Sequence, residues 1–597
     1  MLDTKTNRIT WIVPPHLKYT DYVNPSSAHK AVVKKDEKNY GNLITDMPLG
    51  PMAMSSYLKN LNITSQLLDF NVELNRLDEF NYESFIDYFH NYFVSNLFSY
   101  DDSDIFGISC LFSPSYQSLI DIAKVIKKIF PNHLIMAGGN IPSNMYREIY
   151  EIDDSIDLIC YGEGELPLKN YFNAEAKDDY IAKSDSWITK EKLKNNDFVP
   201  SHDFIWDLDE IPIYDYNLCR NQYFDNPAFT AYGNNQEKDA NYHILTSRGC
   251  PYHCIFCAAH KVHGRKMRYY SVERVKEDLS YLKEKFGVKT LIFQDDHFMG
   301  DKERALEIVK YVGELGVKII FQNSLALYAL KKEFLKACKK AGMNQLVLSV
   351  ESGSDRVLRK VMKKPLKLSI VEQVIEDCRD LDIYTYCNIV IGLPGETKDD
   401  IEDTRKFLKT TYANWFGIFC ANPLVGSEMF DICVENDFLQ NNWIGSDYKQ
   451  AVVSTDDWSS EYIQQKSYEL NLELNFVYNS DYRLGNYQLA LDGFERAIRA
   501  KNDHAIAYYM ASRCLYKLNN IDKAIIYLNK SQQICDKVTY WKNYMSKYSL
   551  DPFEIYDSKN IHCNPSQDIP AGSSIDESTH AFSVPPGKQN PIIHKKK

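Results

Sequence analysis

The chain has 597 residues, 44% of them hydrophobic and 25% charged, and a formal net charge of −12. That length exceeds a single core and points to about three to four domains. The acidic balance argues against general binding of nucleic acid, which needs a basic face, and no apolar run reaches the roughly 18–20 residues of a membrane-spanning helix.

The first residues, Met1 to Arg8, place no apolar stretch behind a positive start and do not read as a secretory signal. A cytoplasmic location is expected, with no membrane partner. A reducing cytosol keeps thiols free, so the 14 cysteines are not expected to form a disulfide framework. Most should be buried small hydrophobes, as at Cys160, Cys338 and Cys387.

Residues 1–175 alternate strands and helices. Strands are predicted at Ile9–Val13, Ser65–Phe70, Asp104–Cys110, His133–Ala137 and Ile156–Cys160, with helices at Met47–Leu58 and Ser115–Ile129. Such alternation implies a parallel sheet wound on both faces, Rossmann-like in its flavodoxin-like form. Ligands of these sheets bind beyond the carboxyl ends of the strands. Ser109, Gly138, Gly139, Asn140, Gly162, Glu163 and Gly164 fall there. Two readings of the glycines stay open: tight turns, or backbone approaching a ligand.

Residues 176–238 are polar and irregular and read as a linker with some local structure. Residues 239–440 hold a second series, with strands at Tyr242–Ser247, Thr290–Gln294, Lys318–Gln322, Gln345–Val350, Tyr386–Ile391 and Trp415–Ala421. Helices such as Val272–Phe286 and Asp301–Glu314 lie between them. Six such units fit a partial (β/α)6 barrel, although periodicity alone also fits another open sheet. In residues 441–556, Gly485, Ala490 and Phe494 recur as Asn519, Ala524 and Leu528, each 34 positions on. That period is the tetratricopeptide (TPR) spacing, so an α-helical repeat region is expected. Residues 557–597 are polar, rich in Pro, Ser and His, and read as a disordered tail.

The chemistry concentrates at Cys250-Pro-Tyr-His-Cys254-Ile-Phe-Cys257. Three thiolates on one loop can bind one face of a four-iron cube and leave the fourth iron open. A zinc site is the alternative, with His253 or His260 as fourth ligand.

This motif, with Phe256 before the third cysteine, resembles the radical S-adenosylmethionine (SAM) superfamily. The resemblance implies a [4Fe–4S] cluster on Cys250, Cys254 and Cys257, SAM chelated at the open iron, and reductive cleavage to a 5′-deoxyadenosyl radical. It also implies an electron donor such as flavodoxin or ferredoxin. Phe293-Gln294-Asp295-Asp296 stands where relatives bind the SAM amino group, which points to Gln294 and Asp295. Ser349-Val350-Glu351 stands where relatives contact the ribose, and Gly392-Leu393-Pro394-Gly395-Glu396-Thr397 resembles the segment near the adenine.

The sheet domain, Gly-Glu-Gly-Glu and the Leu208-Asp209-Glu210-Ile211-Pro212 stretch extend the resemblance to cobalamin-binding members over about residues 9–440. Many of these are methyltransferases acting on unactivated carbon or phosphorus of small molecules or peptides; others cyclise or rearrange. Backbone around Ser109–Pro114, Gly138–Asn140 and Gly162–Gly164 would contact the corrinoid. One departure is the missing Asp-x-His-x-x-Gly string after the first strand. Its literal match, Asp295 to Gly300, lies in the second region. A methylthiotransferase would want a third N-terminal cysteine beyond Cys110 and Cys160. A redox-sensing scaffold acting through the repeats, with a protein partner there, is the reading from outside enzymology. Tyr269, Tyr270, Tyr384 and Tyr386 are expected to be packing residues.

Overall fold

The computed structural model describes residues 8–25, 32–35, 38–43, 45–100, 105–223, 241–440 and 450–550. The predicted tail 557–597 and the end of the predicted linker, 224–238, lie outside them.

Six strands build the first sheet: β1 (Arg8–Val13), β2 (Thr64–Asp69), β3 (Ile105–Ser109), β4 (Leu134–Gly138), β5 (Leu158–Cys160) and β6 (Trp187–Ile188). Their order is β2-β1-β3-β4-β5-β6, parallel except for the last. Strands one to five thus run 2-1-3-4-5, the flavodoxin-like order, and the direction of winding switches between β1 and β3. Side-chain alternation explains why both faces are covered. Ile9, Trp11, Ile105, Leu134, Met136 and Leu158 enter one apolar cluster, while Ile12, Phe106, Ile108, Ile135 and Ile159 enter another. The predicted linker is structured where it is described. It supplies the helix Lys177–Lys183, the antiparallel edge strand β6 and the helix Tyr216–Tyr223.

The second region carries β7 (Asn241–Ile244), β8 (Thr290–Phe293), β9 (Lys318–Phe321), β10 (Gln345–Glu351), β11 (Tyr384–Ile391) and β12 (Trp415–Cys420). They form two three-stranded parallel sheets, β9-β8-β7 and β10-β11-β12, around one shared apolar core. The hydrogen-bonded ladder is therefore split between β9 and β10 rather than continuous. Helix limits follow local chemistry. The helix Val272–Phe286 starts at Ser271, whose side chain accepts from the Arg274 amide, and ends at Gly287 in the left-handed region.

The C-terminal part is helical: Ser460–Leu472, Tyr487–Ala500, Ala505–Lys517, Ile521–Lys537 and Thr539–Lys547. It closes the open edge of β12. The Asn475 side chain accepts from Phe416 N and donates to Phe416 O, both at 2.8 Å. An edge strand is thereby covered and cannot pair further there. Tyr384 and Tyr386 pack into this helical core, in keeping with a packing role.

Candidate active site at the cysteine loop

Residues 247–248 pair antiparallel with 268–269 and close the loop that carries the three cysteines. Gly249 has φ +89°, and a Cβ there would lie 2.5 Å from Lys266 O, so the entry to the loop requires glycine. Backbone bonds fix the rest: Cys250 N donates to Gly264 O at 3.3 Å, Ile255 N to Met362 O at 3.1 Å, and Met429 N to Ile255 O at 2.8 Å.

Among the described cysteines, Cys250, Cys254 and Cys257 are the partly exposed ones, and the other ten are buried. Burial raises all three thiols, Cys250 to about 11, and their proximity to one another adds to the rise at Cys250. Three mutually repelling thiolates are stable when they share a cationic partner, because thiolates bind metal in the deprotonated form. No three His, Cys, Asp or Glu side chains among the described residues converge on a single ion position. A four-iron cube asks less, since each thiolate takes a different iron. The donor set therefore fits a cluster.

The loop is locked to the first sheet by buried charge. Glu163 receives Arg248 at 2.9 Å, Arg268 at 2.5 Å and His263 Nδ1 at 2.8 Å, and Arg248 also reaches Glu165 at 2.7 Å. Burial works to raise the Glu163 carboxyl, but Arg248, His263 and Arg268 outweigh it and hold it well below the usual range. The Glu163 side chain belongs to this network, which leaves the backbone of Gly162–Gly164 for the corrinoid contact expected there. A second link joins the same parts. Gln294 Nε2 donates to Gln322 Oε1 at 2.9 Å, Gln322 Nε2 donates to Asp46 Oδ2 at 2.6 Å, and His243 Nδ1 accepts from Met47 N at 3.1 Å. Asp46, His243, His263 and Arg268 carry no motif, and sequence reasoning missed them, as it missed the pairing of Arg248 with Glu163.

The two aspartates after β8 divide their work. Asp295 Oδ1 accepts from Thr246 N (3.1 Å), Thr246 Oγ1 (2.7 Å) and Ser247 Oγ (2.6 Å), so it braces the strand that enters the loop. Asp296 Oδ2, like Asp295 Oδ2, is buried without a hydrogen-bond partner among the described residues. Its charge bears on Cys250, Cys257, His263 and His297. The charge of Asp296 thus reaches the thiols, while Asp295, expected at the SAM amino group, braces the loop through one of its two oxygens.

Glu351 ends β10 at a bulge with φ +69°, a left-handed conformation uncommon for a residue with a side chain. It lies 3.5 Å from Lys364 Nζ, and both charges act on Cys254. Ser349 Oγ donates to Ser324 Oγ at 2.6 Å, and Phe256 packs on the core. Gly392 has φ +88°, and its amide donates to Glu396 Oε2 at 2.6 Å. Glu396 is fully buried, and burial pushes its carboxyl up to about 8.

At the first sheet, the glycines answer to close packing. A Cβ on Gly139 would meet Cys110 O at 2.7 Å, on Gly162 the His202 ring at 2.6 Å, and on Gly164 Met54 Sδ at 2.6 Å. Asn140 accepts from Asn144 Nδ2 through its carbonyl and side chain, and Ser109 pairs with Gly138. Beside them, at the switch point, Leu111 and Phe112 stand 49% and 47% exposed. Exposed apolar side chains at the ligand crevice of such a sheet fit a large, partly apolar ring system.

A parallel sheet of flavodoxin-like order, joined to a three-thiol loop at the end of a second parallel sheet, defines a radical SAM architecture with an added ligand-binding domain. The family model of the radical SAM superfamily matches residues 244–408, and that of the B12 binding domain matches residues 47–172. The chain thus carries a radical SAM domain and a B12 binding domain, which together imply a [4Fe–4S] cluster, SAM and cobalamin as its cofactors.

An uncharacterized methyltransferase of Pyrococcus horikoshii is 29% identical over 373 residues, 61% of this chain and 77% of the relative. Cytidylyl-2-hydroxyethylphosphonate methyltransferase of Streptomyces wedmorensis is 25% identical over 404 residues, 62% and 75% of the two chains. Among solved structures, the cobalamin-dependent SAM radical enzyme OxsB aligns with a TM-score of 0.57 at 16% identity, over 91% of this chain and 80% of that one. The methyltransferase TsrM from Kitasatospora setae aligns with a TM-score of 0.53 at 14% identity, over 73% and 77%. These two likenesses show the fold. No helix among the described residues is long and apolar enough to cross a membrane.

Proposed function

We propose that this enzyme is a cobalamin-dependent radical SAM methyltransferase that methylates an unactivated carbon, or phosphorus, of a small molecule or peptide. The observation that carries the proposal is the buried Glu163–Arg248 pair, which ties the B12 binding domain to the residue two before Cys250. A methyl donor and a radical source are useful to each other when they are held at a fixed separation.

Cys250, Cys254 and Cys257 hold the cluster. Asp296 offers the SAM ammonium a carboxylate, and Glu351 and Ser349 present oxygens to the ribose hydroxyls. The Gly392–Leu393 turn, shaped by Glu396, and Phe256 line the adenine side. The loops at Ser109–Pro114, Gly138–Asn140 and Gly162–Gly164 border the corrinoid, with Leu111 and Phe112 as its apolar floor. The bound groups supply one-electron cleavage of SAM and a transferable methyl group.

The six strands β7 to β12 follow one another in sequence around one core, which supports a partial (β/α)6 barrel split after its third strand. The helical region supports TPR-like repeats. Positions 34 apart share their roles: Gly485 and Asn519 both have positive φ (+80° and +61°), and Ala490 and Ala524 are both buried. A carrier protein or peptide substrate would dock on this region.

The test is anaerobic. The cluster is reconstituted, SAM and a strong reductant are added with hydroxocobalamin, and 5′-deoxyadenosine, S-adenosylhomocysteine and bound cobalamin are measured. All three together are expected. Absence of SAM cleavage with every reductant overturns the proposal. Deoxyadenosine without S-adenosylhomocysteine transfers it to a cyclase or rearrangement enzyme. That alternative has a specific relative, the anaerobic magnesium-protoporphyrin IX monomethyl ester cyclase of Cereibacter sphaeroides, 25% identical over 316 residues.

A further inference from the structure

We infer that Asp46 is a positioning residue for SAM: acting through Gln322, it sets which end of the Gln294 amide faces the SAM ammonium. The inference rests on the SAM reading above and adds to that site a residue from the other domain.

The two glutamines stand at matching ends of neighbouring strands. Phe293 pairs with Phe321 at the end of the β8–β9 ladder, and Gln294 and Gln322 are the residues that follow. Both are partly exposed, so a ligand beyond the strand ends can reach them. Gln294 directly precedes Asp295 and Asp296. Its backbone is fixed on both sides: its amide donates to Ile244 O at 2.9 Å, and its carbonyl accepts from Asn323 Nδ2 at 2.8 Å. The direction of the side-chain amide is what is left to be set. One end is a carbonyl that accepts and the other an NH2 that donates, and the two have nearly the same shape.

Asp46 sets that direction from outside the second domain. It lies just ahead of the helix Leu49–Lys59. Its backbone is pinned: Asp46 O accepts from Tyr223 Oη at 3.2 Å, and the next amide, Met47 N, donates to His243 Nδ1 at 3.1 Å. Burial works to raise the Asp46 carboxyl, but His243, Gln322 and His16 outweigh it and hold it below its usual range. An ionised carboxylate only accepts. The contact of 2.6 Å between Asp46 Oδ2 and Gln322 is therefore made by Gln322 Nε2. This turns Gln322 Oε1 toward Gln294, where it accepts from Gln294 Nε2 at 2.9 Å. Gln294 Oε1 is then the open end, without a hydrogen-bond partner among the described residues. An ammonium carries donors only, so an acceptor is the end it needs.

His243 fixes what happens when the charge is removed. Its Nδ1 accepts from Met47 N, so the ring proton is on Nε2, which lies 3.3 Å from Asp46 Oδ1. In Asp46→Asn the one remaining oxygen belongs opposite that N–H, which leaves the new NH2 group facing Gln322. Gln322 then turns its Oε1 to position 46 and its NH2 to Gln294. Gln294 turns in its place and presents an NH2 group to the ammonium, donor against donor.

The experiment titrates SAM into the reconstituted, unreduced full chain, with the melting temperature measured alongside. Asp46→Asn should weaken SAM binding by about tenfold or more, the loss of one charged hydrogen bond. The double variant Asp46→Asn/Gln294→Glu should return the affinity to near wild type. A carboxylate at position 294 accepts from Gln322 with one oxygen and from the ammonium with the other. A purely anchoring role for Asp46 would lower the melting temperature of both variants and would not be rescued at a position two hydrogen bonds away. Wild-type affinity in Asp46→Asn, or equally weak binding in the double variant, overturns the inference. Gln294→Ala should also bind SAM about tenfold more weakly. Wild-type affinity in Gln294→Ala overturns the inference even where Asp46→Asn fails to hold its cluster. Wild-type protein that takes up a cluster and binds no SAM overturns the SAM reading together with this one, whereas SAM binding indifferent to these changes overturns this one alone.

Discussion

Arg248 and Glu163 lie 2.9 Å apart with side chains 3% and 4% exposed, and they belong to different domains. Breaking a buried pair leaves the surviving charge without compensation, which costs about 3–5 kcal/mol. Glu163→Gln leaves Arg268 facing a neutral amide, while Arg248 keeps Glu165. The variant should melt well below wild type, and its iron content after reconstitution should fall because the loop loses its anchor. Glu163→Asp should recover part of both. A melting temperature and iron content equal to wild type would show that the domains are held by other contacts.

The thiols give a sharper contrast. Single Cys→Ala changes at 250, 254 or 257 should each abolish the broad visible absorption of the cluster and most of the bound iron, because a cube held by two thiolates is readily lost. Cys338→Ala and Cys378→Ala, both fully buried, should keep the cluster and lose only packing, about 1–2 kcal/mol each. Iron retained in Cys254→Ala would remove that residue from the ligand set.

Much of this was legible in the residues themselves. The strands around Ile9, Trp11 and Ile12 could be placed because alternate side chains must enter opposite cores. The cysteine loop could be placed because three thiols at short spacing have few other uses. The Glu163 network was not legible. A Gly-Glu-Gly-Glu string reads the same whether its carboxylate faces a ligand or an arginine 85 positions on, and long-range charge pairing leaves no periodicity. The bracing role of Asp295 was hidden for a related reason. Which of two adjacent carboxylates turns inward depends on the Thr246 and Ser247 donors, which the fold brings alongside.

The different parts proposed for Asp295 and Asp296 can be measured. Asp295→Ala strands three donors around Thr246 and Ser247, so it should destabilise the chain by about 3 kcal/mol, seen as a lower melting temperature. Asp296→Ala removes an oxygen with no partner among the described residues and should leave melting close to wild type. It should instead weaken SAM binding by about tenfold or more, since a charged hydrogen bond contributes about 1.5–3 kcal/mol. Titration of SAM into the reconstituted, unreduced protein reads this directly. Tight SAM binding in Asp296→Ala together with weak binding in a folded Asp295→Asn would restore the sequence-based assignment.

Glu396 links the site to pH. Burial raises its carboxyl from 4.5 to about 8, so the folded chain keeps a proton there that the unfolded chain releases. Its contribution to stability is fully present below the unfolded value and declines as pH rises through the window between the two, by at most about 1.4 kcal/mol per pH unit. Above the folded value the decline stops. Glu396→Gln cannot ionise, and its amide oxygen can still accept from Gly392 N. The variant should therefore melt near wild type at about pH 5 and progressively above it toward about pH 8. A melting difference that does not change across that range would mean that Glu396 is ionised throughout, with its charge carried by the Gly392 and Leu393 amides.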